Sequence, residues 1–365
     1  MKKSVPLAYP KGKKKQLEKK EMKILTSKPT ITRKELEGVL DCLIHDELNT
    51  GAAVKTFETA VSEMTGFKYP LALNSLVSAY LLIFKALEIG GEDEVIIPSF
   101  FNNAALSALQ LTGGVPVIVD SDVNSIYPST AQIKEKITEK TKAIIAGDTF
   151  GFHFDGEELK ELNIPLIAEI SHSAGTEFNE KPAGSWGTFA VASFAPSMII
   201  TTGNGGMVLT NNSRHFSVMR DLRGYSDEAI NFDLTMTDLQ GAMGITQIMK
   251  LKDFLKRRRE IAKKYYESIR ITSHKPLFPY NDSFSYQSFP VIFDAPVDRV
   301  DKYWKKCGIE ASRLLPSPLH VIAGLKGFDY PNADRLSKKL HSIPLYPTLT
   351  KKEIDKVSKA LGAFI

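Results

Sequence analysis

Residues 168–210 read AEISHSAGTEFNEKPAGSWGTFAVASFAPSMIITTGNGGMVLT. The spacing predicts a buried strand, a polar loop, a second strand ending at Ser193-Phe194, a Gly-rich hairpin and a third strand. Apolar runs of this length bounded by Gly, Pro and Asn are the signature of core strands. Their ends carry Glu169, His172 and Ser193. These are polar groups at the strand ends where open α/β sheets bind ligands.

Working outward, 365 residues suffice for one large domain with a smaller one and a sizeable core. With 43% hydrophobic and 24% charged residues the composition is that of a globular protein. No apolar run approaches the roughly 20 residues needed to span a bilayer, and no apolar segment follows the Lys-rich start, so neither a span nor a signal peptide is expected. Cys42 and Cys307 lie far apart and form no metal-ligand spacing. They are expected as free thiols in a reducing cytoplasm.

The net charge of +5 is concentrated at one end. Residues 1–23 hold nine Lys and two Glu, and the remainder holds 38 basic and 40 acidic residues. No aromatic residues interleave with the lysines of KGKKKQLEKKEMK. The arm therefore reads as a solvated tail, and nucleic acid is not the expected partner.

Beyond the arm, Thr32 with Glu35 forms a capping box opening a helix through Leu43, and 54–64 reads as a second helix. Strands are expected at 69–73, 94–97, 115–119, 143–146 and 166–170, alternating with helices at about 75–87 and 102–111. That alternation gives βα units and a mainly parallel sheet. Continuous apolar strands such as VIIP and PVIVD fit a sheet covered on both faces. Gly203-Asn204-Gly205-Gly206 is followed by a strand, so it reads as a turn needing positive φ rather than a phosphate loop. Residues 238–270 form a long amphipathic helix with a break or two, its basic run Lys256-Arg257-Arg258-Arg259 on a solvated face. A strand at 286–293, helices at 300–307 and 334–340, an extended IPLYP piece and a Thr-capped last helix complete a small α+β domain. The domains are thus the arm 1–23, a large domain 24–236, and an interdomain helix with the small domain, 237–365. A ligand cleft between the two folded parts is expected.

These blocks together resemble the DegT/DnrJ/StrS family of sugar aminotransferases. The resemblance rests on the 168–210 floor and on GGEDEVIIPSF, GGVPVIVDSD, MTDLQGAMGITQIMKL, RRREIAKKYY, SPLH and IPLYPTLTKKEIDKV, in that order. It implies a fold-type-I architecture and pyridoxal or pyridoxamine phosphate as cofactor. It also implies a homodimer with shared sites, nucleotide-linked keto sugars as substrates, and a place in sugar or polysaccharide biosynthesis.

Carried over residue by residue, the family pattern is partly kept. Its ring-binding Asp falls on Glu169 or on the neighbouring Ile170, its Gln/His on His172, and its phosphate-binding Ser on Ser193. The helix-start Ser-Gly-Thr becomes Ser75-Leu76-Val77. The stacking aromatic falls on Asn102, with Phe101 adjacent, and the neighbouring subunit's phosphate-binding Asn falls on Asp233. The Schiff-base lysine is Met198, which can neither condense with an aldehyde nor carry a proton. The local pattern SFAPSMIITTGNGG is similar to the sugar 3-dehydratase branch, where His replaces that lysine, and His172 is then the sole candidate base. Two readings follow. In one, the chain is a degenerate member without transaminase activity, acting as a nucleotide-sugar-binding or partner subunit, as a homodimer or with an active paralogue. In the other, it is an active aminotransferase or 3-dehydratase with a relocated base.

Overall fold

The computed structural model describes residues 24–123, 125–224, 231–313 and 317–364. The Lys-rich arm lies outside them. The chain opens with helices α1 (Arg33–Ile44) and α2 (Ala52–Thr65), and the Thr32–Glu35 capping box is present. Strands and helices then alternate: β1 (Tyr69–Leu73), α3 (Leu76–Ala86), β2 (Glu94–Pro98), α4 (Ala104–Thr112), β3 (Val115–Val119), α5 (Thr130–Lys134), β4 (Thr141–Gly147) and β5 (Leu166–Glu169). A two-stranded ribbon, β6 (Glu177–Phe178) and β7 (Lys181–Pro182), precedes β8 (Phe189–Ser193) and β9 (Gly206–Thr210).

Seven of these strands form one sheet in the order β1-β9-β8-β5-β4-β2-β3. β3, β2, β4, β5 and β8 run parallel, while β9 is antiparallel to both β8 and β1. The sheet is therefore mainly parallel, as the βα alternation predicts. Alternate strand residues face two separate cores. Ala72, Ile96, Ile144, Ala168, Ala190 and Met207 join α2 and the start of α8 in one. Leu71, Val95, Ile145, Ile167, Val191 and Val208 join α3 and α4 in the other. Two-sided burial explains why these strands read as unbroken apolar runs. Burying one such side chain contributes about 1.5–3 kcal/mol.

After α6 (Ser213–Arg223), the expected long helix is two helices, α7 (Asp238–Met249) and α8 (Leu251–Ile269), meeting at Lys250. α7 packs on α1 and α2. A second, antiparallel sheet follows, with β10 (Lys275–Pro276), β11 (Phe289–Ile292), β12 (Ser312–Arg313) and β13 (Leu340–Ile343) in the order β10-β11-β13-β12. The remaining helices are α9 (Val297–Lys306), α10 (Leu319–Ile322), whose Leu319 joins the α3–α4 core, α11 (Pro331–Lys339) and α12 (Lys351–Ala363), the last capped by Thr350.

Two expectations are corrected here. The helix expected to run to Leu340 stops at Lys339, and Leu340–Ile343 is a central strand. The basic run of α8 is not wholly solvated. Lys256 is exposed, but Arg258 is 3% exposed and donates from one guanidinium nitrogen to the carbonyls of Tyr286, Gln287 and Leu345 at 3.0–3.1 Å. Arg259 also turns inward, its Nε bonding the Phe284 carbonyl at 3.0 Å. Among the described residues no helix is long and apolar enough to cross a membrane. Cys42, buried, and Cys307 are both free.

Candidate functional site

Three neighbouring strands, β4, β5 and β8, end on the same edge and set the site's polar groups. Gly147 closes β4 against Glu169 at the end of β5. A Cβ at Gly147 would lie 2.3 Å from the Glu169 carbonyl oxygen, so only glycine allows this approach. Glu169, 2% exposed, accepts from the Ser171 N–H at 2.9 Å on one oxygen and from the Asn102 amide at 3.4 Å on the other. The Ser171 hydroxyl in turn accepts from the Ser193 N–H at 2.6 Å. Asn102, Glu169, Ser171 and Ser193 thus form one connected group spanning β2, β5 and β8. Burial drives the Glu169 carboxyl up to about 7, the Ser171 hydrogen bonds acting against it and the Asp148 charge adding to the rise.

His172 faces an open cleft of about 310 Å³ that Met198, Ser197, Phe150, Gln287 and Arg313 also line. Its Nδ1 accepts the Phe150 N–H at 2.9 Å, and the two rings stack with centroids 6.0 Å apart. Phe150 holds a positive φ of 61° to make this bond. Because Nδ1 is an acceptor, the neutral ring carries its proton on Nε2 and presents a donor, not a lone pair. Burial pushes this imidazole down to about 4; Asp148 acts in the opposite sense and Arg258 in the same one.

The helix start at α3 is a self-contained cap. The Ser75 hydroxyl accepts the Ser78 N–H at 3.1 Å and shares a 2.8 Å contact with the Ser78 hydroxyl. Leu76 and Val77 are partly buried against the α3–α4 core. Ser193 Oγ accepts the Ala195 N–H at 3.3 Å. Phe101, next to Asn102, is 2% exposed and sunk in the core with Tyr80 and Leu106, so it is not free to serve as a stacking ring. Asp233 is exposed, at a positive φ of 46°, and accepts from the Thr235 hydroxyl at 3.4 Å. The next residue, Leu234, accepts the Asn74 N–H at 3.0 Å. Met198 sits in the loop between β8 and β9, and the Gln287 amide holds that loop at the Ser197 carbonyl, 2.8 Å away. Sequence reasoning missed Phe150, Gln287 and the buried pair Asp148–His153, 3.2 Å apart. Asp148 had the same signal as Glu169, a polar residue just past an apolar strand.

The opposite shifts of Glu169 and His172 predict a pH signature. A raised carboxyl contributes stability below about 4.5 that is lost as pH climbs to 7, whereas a depressed imidazole contributes stability above 6.5 that is lost toward 4. The two slopes oppose each other between them. Glu169→Gln removes the falling one, so the variant should gain on the parent protein by up to about 1.4 kcal/mol per pH unit between about 4.5 and 7. His172→Gln should lose by a similar slope between about 4 and 6.5. Denaturant titrations at several pH values check both, and a flat difference would contradict the burial of these groups.

A mainly parallel seven-stranded sheet, a ligand edge formed by β4, β5 and β8, and a second antiparallel sheet beside it define the fold of type-I aminotransferases. The solved structures agree. The aminotransferase TlmJ from Streptoalloteichus hindustanus matches with a TM-score of 0.87 at 24% identity, over 93% of this chain and 97% of that one. A GDP-4-keto-6-deoxymannose-3-dehydratase (ColD) with bound GDP-perosamine matches with a TM-score of 0.83 at 22% identity, over 93% and 100%. The chain belongs to the DegT/DnrJ/EryC1/StrS aminotransferase family, whose profile matches residues 29–362. It is similar to the GDP-perosamine synthases of Escherichia coli O157:H7, 28% identical over 92% of this chain and 97% of theirs, and of Caulobacter vibrioides, 29% identical over 93% and 97%.

The residues fit a pyridoxal-type group at one end only. Glu169 is a buried carboxyl with no cationic partner among the described residues, the right chemistry for a protonated ring nitrogen. At the other end Leu76 and Val77, partly buried against the α3–α4 core, stand where the family pattern has Gly and Thr, so a hydroxyl donor is lost and bulk is added beside the first N–H groups of α3. No lysine lines the cleft among the described residues.

Proposed function

We propose that this chain is a degenerate sugar aminotransferase that does not transaminate. It acts in the cytoplasm as a nucleotide-sugar-binding or partner subunit in sugar biosynthesis, as a homodimer or with an active paralogue. The ligand class is a GDP-linked sugar, drawn from the likeness to the two GDP-perosamine synthases. The observation that carries the reading is Met198, a thioether at the cleft in the place of the family's lysine. Support comes from Asn102, whose amide bonds Glu169 where a flat ring would stack, and from the altered start of α3. In the large domain assigned to 24–236 the roles proposed are ring contact for Glu169 and Asn102, donation by His172 Nε2–H to a ligand oxygen, and a weakened anion cup at Ser75, Leu76, Val77, Ser193 and Asp233. The domain of 237–365 closes the cleft through Gln287 and Arg313.

One observation favours the second reading, an active pyridoxal- or pyridoxamine-phosphate enzyme with a relocated base: a buried carboxyl held near 7 is poised to exchange protons at neutral pH. His172 is less suited to that part, since its free nitrogen bears the proton.

The two readings separate on cofactor uptake. The purified protein should be colourless, and equilibrium dialysis with pyridoxal phosphate or pyridoxamine phosphate should show well under one bound per chain at micromolar concentration. Tight one-per-chain uptake of either form would overturn the first reading and favour the second.

A further inference from the structure

Phe150 is held in a conformation that its own side chain disfavours. It is an aromatic residue at φ 61°, inside the short turn Thr149–Gly151 that follows β4. A bulky residue in the left-handed region is strained, and such strain persists only where the surroundings over-determine it. What the strain secures is the bond from the Phe150 N–H to His172 Nδ1, 2.9 Å long, between segments 22 residues apart.

Two buried residues that do not line the cleft supply the constraint. Asp148 opens the turn. One of its carboxylate oxygens accepts the Phe154 N–H at 2.7 Å, and the other faces His153 Nδ1 at 3.2 Å. Its own N–H bonds the Glu169 carbonyl at 3.0 Å. The turn is thus tied to β5 at its start and drawn back on itself at its end. Ser285 reaches in from the segment before β11. Its N–H bonds the Gly151 carbonyl at 3.2 Å, and its hydroxyl donates to the His172 carbonyl. Ser285 therefore grips the chain on both sides of the Phe150–His172 bond. The approach is close, since a Cβ on Gly151 would lie 2.0 Å from Ser285 Oγ.

We infer that Ser285 and Asp148 are positioning residues for His172, holding the Phe150 N–H on Nδ1 so that the imidazole offers its Nε2–H to the cleft. The inference deepens the proposed donation from His172 to a ligand oxygen and rests on that reading. Released from the constraint, Phe150 would leave the left-handed region and Nδ1 would lose its donor. The ring could then turn, or carry its proton on Nδ1 and present a lone pair to the cleft.

Nuclear magnetic resonance of the full chain at neutral pH, with no ligand added, tests this. Loss of signals in His172→Gln assigns the His172 ring. Two quantities are read: the nitrogen shifts of that ring, and the exchange rate of the Phe150 amide. The parent protein should show a protonated Nε2, a hydrogen-bonded Nδ1 and a slowly exchanging Phe150 N–H. Ser285→Ala removes only a hydroxyl. Phe150 exchange should rise about tenfold, the worth of one hydrogen bond, and the Nδ1 signal should move toward that of an imidazole without a donor. Asp148→Ala should act in the same direction. Asp148→Asn should keep the parent values, because its amide still accepts the Phe154 N–H and can donate to His153 Nδ1. Urea midpoints check folding, and if Asp148→Ala does not fold, Ser285→Ala decides. Exchange that rises evenly through the sheet in Ser285→Ala, with the His172 nitrogens unmoved, overturns the positioning role and leaves His172 as donor. An unprotonated Nε2 in the parent overturns both. An Asp148→Asn variant in which Phe150 exchanges fast overturns the part given to Asp148, since charge and not the hydrogen-bonded turn would then hold the ring.

Discussion

Met198→Lys alone should leave the protein colourless, even though it returns an amine to the cleft that Met198 and His172 share. The lysine can act only once the cofactor is held, and the phosphate supplies much of the anchoring through charge-assisted hydrogen bonds. Here the start of α3 is unready to receive it. Leu76 and Val77 pack toward the α3–α4 core and supply neither the small size nor the hydroxyl donor that the family pattern has there. Asp233, if it meets the neighbouring chain's cup as the family pattern implies, brings a like charge toward a dianion. Together these changes should cost about 3–4 kcal/mol, so affinity should fall by roughly two to three decades. Met198→Lys combined with Leu76→Gly, Val77→Thr and Asp233→Asn should recover binding and a visible absorbance band. A visible band in the single variant would show that the cup is intact.

The fold was legible where local signals and long-range pairing agree. β1 and β3 match the expected 69–73 and 115–119 because each is a short apolar run between turn residues, although both are edge strands and Val115 at the start of β3 is exposed. β13 was missed for a physical reason. Leu340 and Ile343 are three apart, the helical spacing, and His341 and Ser342 look like solvent residues. Yet all four are buried, and the strand exists because β11 and β12 pair with it across long stretches of chain. Periodicity carries no record of such partners. The Gly-rich segment shows the same limit. Gly203 and Gly205 do adopt positive φ, at 82° and 151°, but the connection from β8 to β9 spans residues 194–205 and is no tight hairpin. That length is what brings Met198 to the cleft.

The site divided along similar lines. Glu169 and Ser193 were read as candidates because strand ends mark ligand edges, and Ser171 links the two through hydrogen bonds. Phe150 was not, because it acts through a backbone N–H and a strained φ, neither of which its side chain announces. Gln287 was not, because its partner, the Ser197 carbonyl, lies 90 residues away. Arg258 was read as solvated because four consecutive basic residues resemble a charged surface. Consecutive residues turn 100° each, so four of them sweep most of the helix circumference and one must face inward.

That inward arginine gives the second large expected effect. Arg258→Met should lower the unfolding free energy by about 3 kcal/mol. The change strands three buried carbonyls, those of Tyr286, Gln287 and Leu345, each costing about 1–3 kcal/mol when unpaired. Against that loss stands the relief of a buried charge with no carboxylate beside it, worth several kcal/mol. Burial has lowered its pKa only to about 10, so the guanidinium stays charged at neutral pH and the carbonyls hold most of its solvation. The stranded carbonyls therefore outweigh the relief. The damage should also be local. Gln287 both accepts from Arg258 and donates to Ser197, so loosening it frees the loop that carries Met198. Urea unfolding should show a lower midpoint with an unchanged slope, and hydrogen exchange should rise first in 194–205 and 286–288. A loss below 1 kcal/mol, or exchange that rises evenly through both sheets, would mean that water replaces the guanidinium at no cost and that Arg258 is not what holds α8 to the second sheet.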